Sequence, residues 1–198
     1  MITLNDNLLL AKGSERACYN HPYDKTKLIK VLYHQKGKNN QNNIEKKYYK
    51  ILEEKEIRFT HISKYYGTVL TNLGEGLIFE KIVDYTGKIS KSLRDVLKER
   101  KISICVENIL LNELKSYLLE YNIIFADPTS VNVLCQEFSK NNYKLIIVDG
   151  LGAKKDGIKF KLYNFSNIYV RYKVLKQWNS FTLNIERIKS KIRLNQKL

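Results

Sequence analysis

The sequence has few cysteines, no long hydrophobic run and fewer acidic than basic residues. The best apolar runs, Ile123 to Ala126 and Leu145 to Val148, are far shorter than the roughly 18 residues that a membrane span needs. The N-terminus has no basic segment followed by an apolar one, so a secretory signal is not expected. These absences exclude a membrane span and predict a cytoplasmic protein.

The three cysteines, Cys18, Cys105 and Cys135, are widely spaced. Their odd number and spacing fit neither a disulfide framework nor a CxxC metal site. The three histidines also lack the close spacing of zinc-binding motifs. We therefore expect reduced, structural cysteines and no zinc-type site.

Basic residues are in excess, with 35 Lys and Arg against 20 Asp and Glu in 198 residues. Most of the excess lies in residues 153–198, which contain 12 basic and 2 acidic residues. Such a charge favours an anionic partner, which can be a nucleotide, a nucleic acid or a membrane surface. The alternative explanation is the coding bias of an AT-rich genome, because no RNA- or DNA-binding motif combines these charges with aromatic residues.

Short apolar runs separated by turns make up the first half of the chain. They predict an antiparallel meander, with one helix in which Ile44, Tyr48, Ile51 and Leu52 recur at helical spacing. A polar stretch at residues 36–43 is expected to form a loop before this helix. The predicted strands lie at residues 8–11, 17–19, 27–33, 67–70 and 76–82.

The character of the sequence changes at about residues 84–90. A short helix is expected around Leu93 to Leu97, a longer one through Leu110 to Tyr121, and a β-hairpin at residues 132–149. The basic residues of a C-terminal helix, Lys189 among them, are expected to point outward. This helix is indicated by apolar residues at steps of three and four, which are Val174, Trp178, Phe181, Ile185, Ile188 and Ile192. The interpretation is an α+β fold with an N-terminal domain at 1–83 and a C-terminal domain at 84–198.

Five features follow one another in an order that is typical of a protein-kinase-like ATP site. A glycine turn at Gly13 is followed by Lys30 within the third strand and by Glu45 in the next helix. Asp127 and Asn132 come later, and Asp149 is expected to end a strand.

The sequence also resembles the PhoP regulatory network protein YrbL family, a bacterial branch of the protein-kinase-like superfamily. The resemblance rests on residues 12–22, 29–34, 45–49 and 65–69. It implies a two-lobe kinase-like fold, in which a five-stranded antiparallel sheet with one helix precedes a small, mainly helical lobe. The nucleotide would bind between these lobes.

Lys30 is the candidate for binding the α and β phosphates of ATP, because phosphoryl transfer develops negative charge that a fixed cation stabilises. A strand-buried lysine needs a partner, and Glu45 is the natural one, although Glu53 or Glu54 would serve if the helix register differs. The alternative is that Lys30 occupies a solvent-facing strand position.

Asp149 and Asn132 offer hard oxygen ligands for Mg²⁺, and Asp127 is placed to accept or orient the proton of the attacking hydroxyl. The alternative for these residues is turn capping by Asp and Asn. Further candidates for nucleotide contact are Gly13, Arg16, Glu80 and Ile82.

Departures from the kinase pattern concern the phosphate loop and the catalytic segment. Only Gly13 remains of the glycine-rich frame, which puts backbone cradling of phosphate in doubt, and Arg16 or Lys12 would have to compensate. The catalytic triplet reads Phe125-Ala126-Asp127 without an arginine, and 49 residues follow Asp149. These departures argue against activation-loop phosphorylation and a peptide-docking platform.

The expected function is that of an ATP- and Mg²⁺-dependent phosphotransferase with an unknown hydroxyl-bearing acceptor. A pseudokinase-like regulatory module, which binds a nucleotide or a partner without efficient turnover, is the alternative. A basic nucleic-acid-binding domain is a third possibility, and it would require the C-terminal helix to expose its lysines as one strip.

Overall fold

The computed structural model describes residues 1–34, 40–153 and 167–194. The chain divides into two compact units. Of these residues, unit 1 contains 1–34, 40–59 and 63–81, and unit 2 contains 60–62 and 82–153 together with the C-terminal helix. Among the described residues, no helix is both long enough and apolar enough to cross a bilayer.

Unit 1 is a five-stranded antiparallel sheet with one helix and a short 3₁₀ turn at Asp6–Leu8. The strands lie in the order β1-β2-β3-β5-β4, which places β3 at the centre of the sheet. The elements are β1 (Leu9–Lys12), β2 (Arg16–Asn20), β3 (Lys27–Leu32), α1 (Gln41–Glu54), β4 (Tyr65–Thr71) and β5 (Gly74–Glu80).

The apolar content of β3 explains its central position. Ile29 and Val31 are buried and pack in a core with Ala17 and Tyr19 of β2. Gly76 of β5 lies so close to β3 that an added Cβ would stand 2.5 Å from a side-chain methyl of Ile29. The residue between the two core positions, Lys30, is thereby fixed in a strand paired on both edges.

Helix α1 begins earlier than the sequence indicated. Asn40 caps it by accepting a hydrogen bond from the backbone N–H of Asn43 at 3.1 Å, and the helix starts at Gln41. The prediction of a loop through residue 43 was therefore wrong at its end, because asparagine is a preferred N-cap and polar residues suit a first turn. Residues 36–39 of that predicted loop lie outside the described residues.

In the described residues, unit 2 combines a three-stranded antiparallel sheet with three helices. The two-residue strand β6 was not predicted, because it carries no periodic pattern. Asp149 was expected to end a strand but lies two residues after β8. The elements are β6 (Lys91–Ser92), α2 (Leu93–Lys98), α3 (Ile104–Glu120), β7 (Val133–Ser139), β8 (Asn142–Ile147) and α4 (Asn167–Leu194).

The core of unit 2 includes one face of α4. Trp178, Phe181 and Ile185 are almost fully buried, as their spacing predicts. Lys189 does not point outward as expected, because its Nζ lies 2.9 Å from Oε1 of the buried Glu107 of α3. Although burial lowers the pKa of Lys189, hydrogen bonds to Glu107 and Glu186 raise it above its ordinary value. The four described helices and two antiparallel sheets confirm the mixed α+β class.

Candidate functional site

Lys30 and Glu45 form a buried ion pair in unit 1. Nζ of Lys30 lies 3.5 Å from Oε1 of Glu45, and both side chains are at most 5% exposed. The same Nζ stands 4.2 Å from the centroid of the Phe79 ring on the neighbouring strand β5. The structure thus excludes the solvent-facing alternative for Lys30 and brings it together with the predicted partner.

Arg16 of β2 is a second cation on the same carboxylate. Its Nη1 donates to Oε2 of Glu45 and lies 3.4 Å from Oδ1 of Asn42. Arg16 and Asn42 are also buried. One carboxylate therefore contacts two cations, each through a different oxygen.

The other glutamates of α1 do not share this environment. Glu53 and Glu54 are exposed, and Glu54 lies 3.9 Å from Lys50 on the helix surface. The helix register therefore directs Glu45 toward β3, and neither alternative partner replaces it.

The turn between β1 and β2 is tight, and its glycine is engaged. The backbone N–H of Gly13 donates to the carbonyl of Arg16 at 2.8 Å, and the Gly13 carbonyl accepts from the Tyr33 hydroxyl at 3.2 Å. A phosphate at this turn would have to compete with the Arg16 carbonyl for the Gly13 N–H. This geometry agrees with the loss of the glycine-rich frame, which also argues against phosphate binding by the backbone of this turn.

Glu80 and Ile82 lie at and after the end of β5 but belong to different units. Within unit 1, a side-chain oxygen of Glu80 accepts from the backbone N–H of Lys64 at 3.2 Å. Within unit 2, Ile82 is buried and its carbonyl accepts from the N–H of Ser90 at 3.2 Å. These contacts fix the chain at both positions.

A second polar cluster, in unit 2, is formed by Asp127 and Asn132. The Asn132 amide nitrogen donates both to Oδ2 of Asp127 at 2.8 Å and to its backbone carbonyl at 3.0 Å. Because this nitrogen faces Asp127, Asn132 can ligate a cation through its amide oxygen. The turn-capping alternative holds in part, since the N–H of Thr129 also donates to the Asp127 carbonyl at 2.8 Å.

Asp149 adjoins this cluster through the backbone. Its Oδ1 accepts from the N–H of Gly150 at 2.7 Å, while the Gly150 carbonyl accepts from the N–H of Asp127 at 3.0 Å. The N–H of Val148 donates to the Asn132 carbonyl at 2.9 Å. The loop after β8 is thus tied directly to the loop that carries Asp127 and Asn132.

Gly150 is required where these loops meet. Its φ of +80° is one that side-chain-bearing residues rarely adopt, and an added Cβ would stand 2.9 Å from Cβ of Asp127. Sequence reasoning gave Gly150 no structural role. The glycine after an aspartate was the available signal for it.

Two residues of α4 support the same loop from within unit 2. The ring of Phe181 packs on that of Phe125 with 5.5 Å between centroids. Oδ1 of Asn184 accepts from the buried N–H of Ser130 at 3.1 Å. Sequence reasoning missed Asn184, because nothing in the local pattern relates it to residue 130. It also missed Asn42, whose place three residues before Glu45 on one helix face was a usable signal.

The oxygen donors of Asp149 and Asn132 suit the way in which Mg²⁺ binds to proteins, and they do not form a dedicated all-protein metal site. Within the described ranges, no three His, Cys, Asp or Glu side chains are grouped so that they could hold a metal. Mg²⁺ commonly takes one or two protein carboxylates and completes its shell with water and substrate phosphates. A carboxylate and an amide oxygen are sufficient for that mode.

Comparison with known proteins gives a family match whose range includes the residues of both clusters. The sequence profile described as PhoP regulatory network protein YrbL matches residues 2–186. The chain belongs to the YrbL family. Its relatives include proteins named "Uncharacterized protein YrbL" from Escherichia coli (strain K12) and Shigella flexneri, each 31% identical over 155 residues. These residues represent 77% of this chain and 74% of each relative. The family assignment made from the sequence is confirmed, and membership of the protein-kinase-like superfamily stays a prediction.

Proposed function

We propose that this YrbL-family protein is a kinase-like phosphotransferase that uses ATP and Mg²⁺. The observation that carries the proposal is the buried Lys30–Glu45 pair in unit 1. Taking two charges out of water is expensive, and apolar residues of similar volume are often as stable or more so. A lysine kept in this position is therefore more easily explained by binding of an anion, such as nucleotide phosphate, than by stability.

The cluster of unit 2 supplies the complementary chemistry. In the proposal, the carboxylate of Asp149 and the amide oxygen of Asn132 hold Mg²⁺ on the phosphates, and Lys30 contacts the α and β phosphates. Asp127 orients the hydroxyl of the acceptor. Its hydrogen bond with Asn132 would hold the carboxylate in one orientation.

The proposed reaction is an in-line transfer. A bond forms between the acceptor oxygen and the γ-phosphorus, and the bond from that phosphorus to the β,γ-bridging oxygen breaks. The proton of the acceptor hydroxyl passes to Asp127 and then to solvent, and ADP is the leaving group. The acceptor is a small molecule or a protein with a free hydroxyl.

One observation favours a second candidate function, a regulatory module with little turnover. The Gly13 N–H is already engaged in the β1–β2 turn, so one donor that kinases direct at phosphate is occupied. The family description also refers to a regulatory network. Such a module would bind the nucleotide or a protein partner and act through that binding.

Phosphoryl transfer distinguishes the two candidates. We expect the wild-type protein to release phosphate from Mg-ATP or to phosphorylate itself, and Asp149→Ala to abolish either activity. Asp127→Asn should lower transfer by about 10² or more while ATP binding persists, since that is the usual contribution of a positioned acid–base group.

The matched control is Asp6→Asn, which changes an exposed aspartate of unit 1. It should retain wild-type transfer. Binding of Mg-ATP without any transfer would support the regulatory module, and equal transfer by wild type and Asp127→Asn would remove Asp127 from the site.

A further inference from the structure

Helix α4 has a second apolar face, which is exposed. Its side chains are between 41 and 85% exposed, and at 3.6 residues per turn they lie about 60–160° around the helix from Trp178, on the side away from Phe181. With a rise of 1.5 Å per residue they extend over about 39 Å of the helix. We call these residues the α4 stripe: Ile168, Tyr172, Leu175, Leu183 and Leu194.

Basic side chains border the α4 stripe on both sides. On the helical projection, Arg171 and Arg193 lie along one edge, and Lys176, Arg187 and Lys191 lie along the other; all five are exposed. The single acidic residue of α4, Glu186, lies on the exposed face and is 3.1 Å from Nζ of Lys189. The exposed face therefore carries apolar side chains along its middle, where Glu186 also lies, and basic side chains along its margins.

We propose that this face of α4 docks on the surface of a bilayer that contains anionic phospholipids. An apolar face flanked by lysine and arginine is the arrangement of helices that lie in the membrane interface. The apolar side chains would enter the boundary between headgroups and acyl chains, and the basic ones would contact lipid phosphates. This inference is independent of the proposed phosphotransferase function.

Charge and shape favour a membrane over other occupants. A second copy of this chain would place two strongly cationic faces against each other, which like-charge repulsion opposes. A helix that docks in an acidic groove on a protein is expected to present a continuous apolar ridge. The α4 stripe is not continuous, because the exposed polar residues Asn179 and Ser190 interrupt it. A fluid surface accepts isolated apolar side chains spread along a helix.

Vesicle co-sedimentation of the full chain tests the charged margins. We expect binding to vesicles of phosphatidylglycerol and phosphatidylethanolamine, and at least ten-fold weaker binding to vesicles of phosphatidylcholine alone. The double variant Lys176→Glu with Arg187→Glu should reduce binding to the anionic vesicles at least ten-fold. The control Lys98→Glu with Lys140→Glu makes the same change of net charge at exposed sites of unit 2 and should bind within two-fold of wild type.

The apolar part needs a separate pair of variants. Leu175→Ser with Leu183→Ser should reduce binding to the same vesicles at least five-fold. Ile104→Ser with Ile109→Ser, which changes two exposed side chains of α3, should leave it within two-fold.

Three results would overturn the proposal. One is wild-type protein that does not sediment with anionic vesicles. Another is equal loss of binding in the α4 variants and their controls, which would indicate attraction by net charge alone. The third is a wild-type dimer in sedimentation velocity that Leu175→Ser with Leu183→Ser converts to monomer, which would assign the face to a second copy.

Discussion

Lys30, Glu45 and Arg16 in unit 1 are almost completely buried and are joined by ion pairs, with the two cations on paired strands and the glutamate on a helix. Asp127, Asn132 and Asp149 in unit 2 are partly exposed and lie on loops, where an amide and backbone N–H groups hold them. The first cluster is therefore part of the core of its unit. The second depends on the backbone path, and on a glycine in particular.

This difference predicts opposite responses to substitution. Removing one charge from a buried set takes away a contact that offsets the desolvation of the others, which is costly for folding. Changing a side chain on a loop that the backbone already fixes should cost little. Stability measurements on the two clusters thus test the structural account without any assay of function.

The largest effect is expected for Glu45→Gln. It removes a carboxylate that contacts both Lys30 and Arg16, and we expect the free energy of unfolding to fall by about 3–5 kcal/mol. Urea denaturation measures it. Glu54→Gln, on the exposed surface of the same helix, should stay within about 0.5 kcal/mol of wild type. Equal losses in the two variants would contradict a buried ion cluster.

Trp178→Ala should have a comparable effect in unit 2. The indole is 7% exposed and packs on Phe181, which in turn contacts Phe125 before the Asp127 loop. Truncation of a buried large aromatic costs about 3–5 kcal/mol. Leu183→Ala on the exposed face of the same helix should change stability by no more than about 0.5 kcal/mol. A melting curve like that of wild type for Trp178→Ala would show that α4 is not part of the core.

Lys189→Glu should give an intermediate loss. The change leaves the buried Glu107 without its cation and adds a like charge next to it, for which we expect a loss of about 2 kcal/mol. Lys191→Glu, two residues later and exposed, serves as the control and should stay close to wild type. If both variants unfold at the same denaturant concentration, the Lys189–Glu107 contact does not contribute to stability.

Asp127→Asn should have the smallest effect on folding. The new amide keeps an oxygen that can accept from Asn132, so we expect a loss of about 1 kcal/mol or less. A loss as large as that of Glu45→Gln would erase the distinction between the two clusters. The same variant is expected to lower phosphoryl transfer by about 10² or more.

Periodic and local patterns made much of this structure predictable. The alternation around Ile29 and Val31 and the helical spacing of Trp178, Phe181 and Ile185 follow from burial of one face, which the sequence displays directly. Lys30 and Glu45 could be paired because a strand lysine needs a nearby carboxylate.

Contacts between distant segments could not be predicted in this way. Asn184 binds Ser130 from 54 positions away, and Lys189 reaches Glu107 across 82 positions. No local preference encodes such pairs, because each side chain alone would suit an exposed helix face. The shared use of Glu45 by Arg16 was missed for a related reason, since Arg16 fitted a phosphate-binding role equally well.

The most direct test of the central claim is the change in melting temperature on addition of Mg-ATP. A ligand that binds only the native state at 100 times its dissociation constant stabilises it by about 2.7 kcal/mol, which corresponds to a rise of about 5–10 °C for a chain of this size. We predict this rise for wild type and for Lys27→Ala, on the same strand as Lys30, and its loss in Lys30→Ala and in EDTA. No shift of wild-type protein at millimolar Mg-ATP would contradict nucleotide binding and, with it, the phosphotransferase proposal.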